Sequence, residues 1–136
     1  MALEMTQTLL YRGGKYQTYV SLIDNGFDLS RINSNFGTTL GKGVYLTKSK
    51  EEARSYAVDG RTIFEVPVVG LKPFKLDRAF SVDSKQDRKN LKKITQKAKD
   101  QGFTALESVD GLEVVIFEDN ADDIMWDCGE ILVYNP

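Results

Sequence analysis

Two hydrophobic rhythms run along the chain. Thr8–Tyr11 is short, apolar and β-prone, and Gly13-Gly14 stop it, which predicts a first strand. In Lys15–Asn25 the residues Tyr16, Tyr19, Val20 and Ile23 recur at helical spacing, and Gly26 closes the stretch. Phe27 to Leu40 is polar and without a period, so it reads as a loop, about as long as ordered loops in compact domains become. Val44–Thr47 predicts a short strand. Ser49-Lys50-Glu51-Glu52 has the S-x-x-E spacing of a capping box, which starts a helix running to about Ala57 with Ala53, Tyr56 and Ala57 on its apolar face.

The second half continues in the same way. Thr62–Val69 alternates and is β-branched, a strand in which Pro67 suggests an edge or an end. Phe74–Leu76 adds a short strand. Ser84–Gln101 reads as a helix with Leu91, Ile94 and Ala98 inward and Lys and Arg outward. Phe103–Leu106 and Glu113–Phe117 read as strands joined by the turn Ser108–Gly111. Asp119–Asp123 is a polar turn, and Trp126–Tyr134 holds a last strand. Strands with two or three helices, and no regular β-α-β alternation, predict an α+β fold in one domain over residues 1–136.

Composition narrows the chemistry. The 136 residues carry 18 Lys+Arg and 20 Asp+Glu, a net charge of -2 that argues against a mainly electrostatic nucleic-acid binder. A local basic patch stays open. Histidine is absent, which removes Ser-His-Asp and Cys-His machinery and histidine-ligated zinc. The single cysteine, Cys128, leaves no internal disulfide. Met1 to Leu10 does not read as a signal peptide, and no stretch approaches a membrane span, so the expectation is a cytoplasmic protein without a membrane partner.

Three segments carry candidate chemistry. Leu10-Tyr11-Arg12-Gly13-Gly14 is a strand ending in an arginine and two glycines. The arginine can reach a phosphate or ribose while a glycine lets a ligand approach, and a plain tight turn is the alternative. Gly41-Lys42-Gly43-Val44-Tyr45-Leu46-Thr47 leads into the capped helix that ends at Tyr56. Two tyrosines so placed can stack on a planar ligand, or can be ordinary boundary residues. Glu113 opens an apolar strand, Glu113-Val114-Val115-Ile116-Phe117. A carboxylate there has a job or a partner, or simply faces water at the strand edge.

Taken in order, these segments resemble the ADP-ribosyltransferase fold, in its poly(ADP-ribose) polymerase and diphtheria-toxin branch. Gly41-Lys42-Gly43-Val44-Tyr45 matches the family's Gly-Lys-Gly-(Ile/Val)-Tyr as it stands. Tyr56 falls eleven residues after Tyr45, and Glu113-Val114-Val115-Ile116-Phe117 matches the family's last-motif strand. The resemblance runs from about Leu9 to Val133. Where that branch has histidine, this chain has Arg12, as in the cholera-toxin and clostridial branch. Ala53 stands where a serine would bond the nicotinamide amide. Gly111, two before Glu113, argues against arginine as the acceptor.

The resemblance implies two small, mostly antiparallel sheets forming an NAD cleft. It implies a mono-ADP-ribosyltransferase that takes NAD as substrate, needs no metal and modifies a macromolecule, with protein the leading acceptor. So small a domain is similar to bacterial or phage effectors and toxins. The implied catalytic residues are Glu113, Tyr45 and Arg12, and the implied NAD-binding residues are Tyr11, Arg12, Gly13, Gly43, Tyr45 and Tyr56. Glu113 would stabilise the oxocarbenium-like ribose. Tyr45 and Tyr56 would sandwich nicotinamide, Gly13 would bond its amide, and Arg12 would hold the adenosine ribose or diphosphate. The loop Asn33–Leu40 would close over the donor, and Glu107 and Asp110 would lie near the acceptor. The alternatives are an NAD glycohydrolase and an inactive binding module of the same fold. The Lys-rich helix 85–99 reads as a solvated face, or as a docking patch for nucleic acid or an acidic protein.

Overall fold

The computed structural model describes residues 6–27, 40–41, 43–81 and 83–135. The chain is α+β. It contains β1 (Gln7–Gly13), α1 (Tyr16–Asn25), β2 (Val44–Thr47), α2 (Lys50–Tyr56), β3 (Thr62–Val69) and β4 (Pro73–Lys75). There follow α3 (Lys85–Asp100), β5 (Ala105–Glu107), β6 (Glu113–Ile116) and β7 (Glu130–Val133). The chain gathers into two compact units. The first takes Met1–Phe27, Leu46–Leu71 and Asp122–Pro136, and the second takes Asp28–Tyr45 and Lys72–Ala121.

In the first unit β1 pairs antiparallel with β2 and β3, and β3 pairs antiparallel with β7. One face of β1 and β3 buries Leu10, Phe64 and Val66 completely. Tyr19 from α1 stacks on Phe64 at 5.6 Å, and Trp126 also stacks on Phe64 at 6.1 Å. The buried Tyr19 hydroxyl donates to the Thr62 carbonyl at 2.9 Å, so its polar end is satisfied. Ser49 caps α2 as its spacing predicted, its Oγ accepting the Glu52 amide at 3.2 Å.

In the second unit β4 runs parallel to β5, and β5 is antiparallel to β6. The core beside these strands is Leu40, Leu76, Phe80, Leu91, Ala98, Leu106, Val115 and Phe117. Leu91 and Ala98 are seven residues apart on α3, two helical turns, and both face this core. Ser84 caps α3 by accepting the Asp87 amide at 3.1 Å.

Two expectations need correction. The strands fall in one mixed seven-stranded order, β4-β5-β6-β2-β1-β3-β7, rather than in two sheets. Gly13-Gly14 do not stop β1 at Tyr11. The strand runs through Gly13, which stays in register with Ile63. Pro67 matches the strand-end reading, two residues before β3 ends at Val69. β3 is flanked by β1 over Ile63–Val69 and by β7 over Thr62–Glu65, and Pro67 lies beyond the reach of β7, where its missing N–H breaks no β7 pairing. The last strand lies within Trp126–Tyr134 as expected, at Glu130–Val133, after 3-10 turns at Glu118–Asp123 and Trp126–Cys128.

Candidate functional site

The residues singled out in the sequence divide into two groups, one in each unit. Tyr11, Arg12, Gly13 and Tyr56 belong to the first, Gly43, Tyr45 and Glu113 to the second.

In the first unit Tyr11 and Arg12 are neighbours in β1, so their side chains leave opposite faces. Tyr11 lies in register with Thr47 on one side and Glu65 on the other, and Glu65 is in register with Glu130. Burial raises the Tyr11 pKa, the Glu65 charge adds to it, and so does the hydrogen bond the phenol donates to that carboxylate. Lys50 from α2 lies 5.7 Å from the centre of the Tyr11 ring. Arg12 shares its face with the aromatic column. Its guanidinium carbon is 5.7 Å from the centre of the Phe27 ring, and Phe27 stacks on Trp126 at 5.7 Å. Burial lowers the Arg12 pKa. Among the described residues no carboxylate forms an ion pair with it.

Gly13 is where α2 meets β1. A Cβ there would fall on the Ala53 carbonyl oxygen, with the Ala57 nitrogen and the Tyr56 Cβ each 2.8 Å away. The glycine therefore permits backbone-to-backbone contact, and it brings Tyr56 beside the end of β1. The Tyr56 side chain is 61% exposed. Ala53, in the place of the family's serine, is fully buried.

The second unit holds the other group. A Cβ on Gly43 would strike the Ile116 carbonyl oxygen and come within 2.7 Å of Val115 Cγ1, so this glycine lets the entry to β2 close on β6. Tyr45 packs against the core cluster, while its hydroxyl donates to the Gly41 carbonyl at 2.5 Å and accepts the Leu40 amide at 2.9 Å. Burial raises its pKa strongly, the bond from Leu40 opposes this, and the Glu113 charge raises it further. Glu113 alternates onto the same face as Val115, one of the core residues. Tyr45 and Glu113 are thus brought together, near enough for one to perturb the other.

The turn before Glu113 is locked by polar groups. Ser108 Oγ donates to Asp110 at 2.5 Å and accepts the Glu113 amide at 3.0 Å, and Asp110 also accepts the Leu112 amide at 3.0 Å. These bonds hold the Asp110 carboxyl below the usual range, the Ser108 bond most of all. Asp110 is therefore committed to the turn. Glu107 is in register with Val114, on the face opposite Glu113. It is buried and ion-paired with Lys75 at 3.8 Å.

No protein-family model and no curated protein matches the chain. Residues 33–39 of the loop expected to close over the donor lie outside the described residues, as does Lys42. Among the described residues no cluster of three or more His, Cys, Asp or Glu could hold a metal ion, and no helix is long and apolar enough to cross a membrane. A groove of about 310 Å³ in the first unit is lined by Lys50, Ile63, Leu132, Val133, Tyr134 and Asn135, none of them a sequence-predicted site residue.

Two features were missed from sequence. The column Tyr19–Phe64–Trp126–Phe27 that seats Arg12 is scattered along the chain, and only the fold assembles it. Glu65 did carry a signal. It is the one charged residue inside the apolar strand Thr62–Val69, the same kind of anomaly that singled out Glu113.

Proposed function

We propose that the chain is an NAD-dependent mono-ADP-ribosyltransferase, with a protein as the leading macromolecular acceptor. The observation that carries the reading is the ordered set Arg12-Gly13, Gly43-Val44-Tyr45, Tyr56 and Glu113. The grouping of Tyr45 with Glu113 supports it. So does the half-buried Arg12 guanidinium, which has no ion-pair partner among the described residues and suits a diphosphate. The exposed Tyr56 ring beside Gly13 suits a planar nicotinamide.

In this mechanism the bond between the ribose C1′ and the nicotinamide nitrogen breaks. Its electron pair leaves with nicotinamide, which departs neutral. Positive charge spreads over C1′ and the ring oxygen, and the Glu113 carboxylate stabilises it while binding the ribose 2′-hydroxyl. The acceptor nucleophile then bonds to C1′ and releases its proton. A leaving group this good needs no general acid, which suits a chain with no histidine. One observation favours an inactive binding module instead. Ala53 is buried against Gly13 and has no hydroxyl for the nicotinamide amide.

The test is nicotinamide release from NAD by wild type and Glu113→Gln, with and without cell lysate. The substitution keeps the shape and removes the charge, so release should fall by about 100-fold or more. Release that needs lysate and labels a macromolecule supports the transferase. Release into water alone marks a glycohydrolase. No release under either condition leaves the binding module.

A further inference from the structure

The charge of this chain is unevenly distributed. The helix α3 holds seven basic and two acidic residues, against eleven basic and eighteen acidic in the rest. Its basic side chains are all exposed; Lys85, Lys89, Lys92, Lys93 and Lys97 lie on the arc away from the buried Leu91 and Ala98, while Lys99 reaches over the Phe117 ring at 5.3 Å. Several of them stand next to another cation at helical spacing. Lys85–Lys89, Lys89–Lys93, Lys93–Lys97 and Arg88–Lys92 are all like-charge pairs at i,i+4, each of which destabilises a helix. Lys85, Arg88 and Lys89 crowd the N-terminal end, where the helix dipole disfavours cations.

The two acids do not relieve this. Asp87 is held by Arg78 at 3.0 Å and by the Ser81 amide, and Asp100 accepts from the Gln96 amide group at 2.9 Å. Among the described residues no carboxylate pairs with Lys85, Lys89, Lys92, Lys93 or Lys97. A solvated face selected for stability alone would mix signs at these spacings. A surface that repels itself is relieved by a polyanion laid along it.

We propose that the exposed face of α3 is a docking surface for the phosphate backbone of a nucleic acid duplex. The exposed positions of α3 are Lys, Arg, Gln and Asp, with no aromatic or large apolar anchor of the kind that centres a protein interface. The apolar stripe of the helix is already used in the core, so it has nothing to insert into a lipid surface. Backbone phosphates ask only for cations at a matching pitch. The 16-residue helix is about 24 Å long, enough to lie along roughly 14 duplex charges counted over both strands. This contact reads no bases, so it predicts binding without sequence preference. It stands independently of the reaction proposed above, and its test does not use NAD.

The experiment is fluorescence anisotropy with a mixed-sequence DNA duplex of about 20 base pairs, titrated between about 50 mM and about 200 mM salt. Polyglutamate and anionic phosphatidylserine vesicles serve as competitors. Wild type is compared with the triple variants Lys89→Gln/Lys92→Gln/Lys93→Gln and Lys89→Glu/Lys92→Glu/Lys93→Glu. All three positions are exposed, and circular dichroism checks that the helix survives. The expected result is micromolar binding that weakens linearly in log salt with a slope of about -4 to -6, from roughly five phosphate contacts. The Gln variant should bind at least tenfold more weakly, with a slope shallower by about 3. The Glu variant should not bind. Three results would overturn the proposal: no wild-type binding at the lowest salt, equal binding by both folded variants, or more effective competition by polyglutamate or vesicles than by unlabelled duplex.

Discussion

The Tyr45 hydroxyl donates to the Gly41 carbonyl at 2.5 Å, four residues back along its own chain. The same oxygen accepts the Leu40 amide at 2.9 Å, so one phenol fastens the loop end onto the start of β2 while its ring packs in the core. Tyr45→Phe keeps the ring and leaves both backbone groups without this partner. Each net hydrogen bond is worth about 0.5–1.5 kcal/mol, so urea unfolding should show a loss of about 1–3 kcal/mol. An unchanged midpoint would mean that water replaces the hydroxyl at no cost.

The same residue predicts a pH dependence. The folded-state pKa of Tyr45 is raised above its ordinary value of 10.0, so folding favours the protonated phenol. That contribution is fully present below pH 10 and is lost as pH rises from there toward the folded-state value. Wild-type stability should therefore decline above pH 10, and Tyr45→Phe should decline less steeply. Tyr11 and Tyr19 are shifted in the same direction and will leave a residual slope. Parallel curves for the two proteins would remove Tyr45 from the account.

Gly13 and Gly14 are adjacent, yet they should respond differently to one added methyl. At Gly13 the methyl would collide with the backbone of α2. At Gly14 its nearest neighbour would be the Tyr19 ring edge at 3.7 Å, an ordinary contact. Gly13→Ala should lose at least about 1–3 kcal/mol as α2 is forced off β1, while Gly14→Ala should stay within about 0.5 kcal/mol of wild type. Equal effects in thermal melts would show that α2 does not sit on β1 as described.

That contrast shows what the sequence carried. The pair Gly13-Gly14 signalled a turn, but the need for the first glycine comes from Ala53, forty residues away. Local signals were read well. The Ser49 cap, the Leu91–Ala98 stripe and the strand at Val44–Thr47 depend on neighbours in the chain. Long-range facts were not legible. The parallel pairing of β4 with β5, the span of β3 beyond β7 and the seat of Arg12 on scattered aromatics are set by tertiary contact. Site residues followed the same rule. Glu113 stood out as a charge in an apolar strand, and Asp110 lies inside the predicted turn Ser108–Gly111, whose short-range hydrogen bonds claim its carboxylate.

That turn gives an acid-side prediction. The Asp110 carboxyl is held below its ordinary 3.8, first by the Ser108 hydroxyl and then by the Leu112 amide. A depressed carboxylate contributes stability that is present above the unfolded-state value and lost as pH falls through the folded-state one. Ser108→Ala removes the leading cause, so the Asp110 titration midpoint followed by carboxyl carbon NMR should move up toward 3.8. It also frees the Glu113 amide from its side-chain acceptor, which should loosen the start of β6 in hydrogen exchange. A midpoint that does not move would assign the depression to the backbone alone.

Arg12 separates stability from function. A half-buried guanidinium without an ion-pair partner among the described residues loses hydration on folding and regains little of it. Its aliphatic stem and its contact with Phe27 are the part that packs. Arg12→Met keeps a flexible stem of similar reach, places a sulfur near the Phe27 ring and removes the charge. Thermal stability should therefore be unchanged or higher. In the transferase reading the same variant loses the cation that faces the NAD diphosphate, so the KM for NAD should rise at least tenfold, about 1.4 kcal/mol, with a smaller change in kcat. The two readouts separate the outcomes. A fall in stability of more than about 1 kcal/mol would mean that the guanidinium is a structural anchor. Unchanged stability with unchanged KM would mean that Arg12 does not meet the donor, and the role of a strand-end cation would have to pass to another residue.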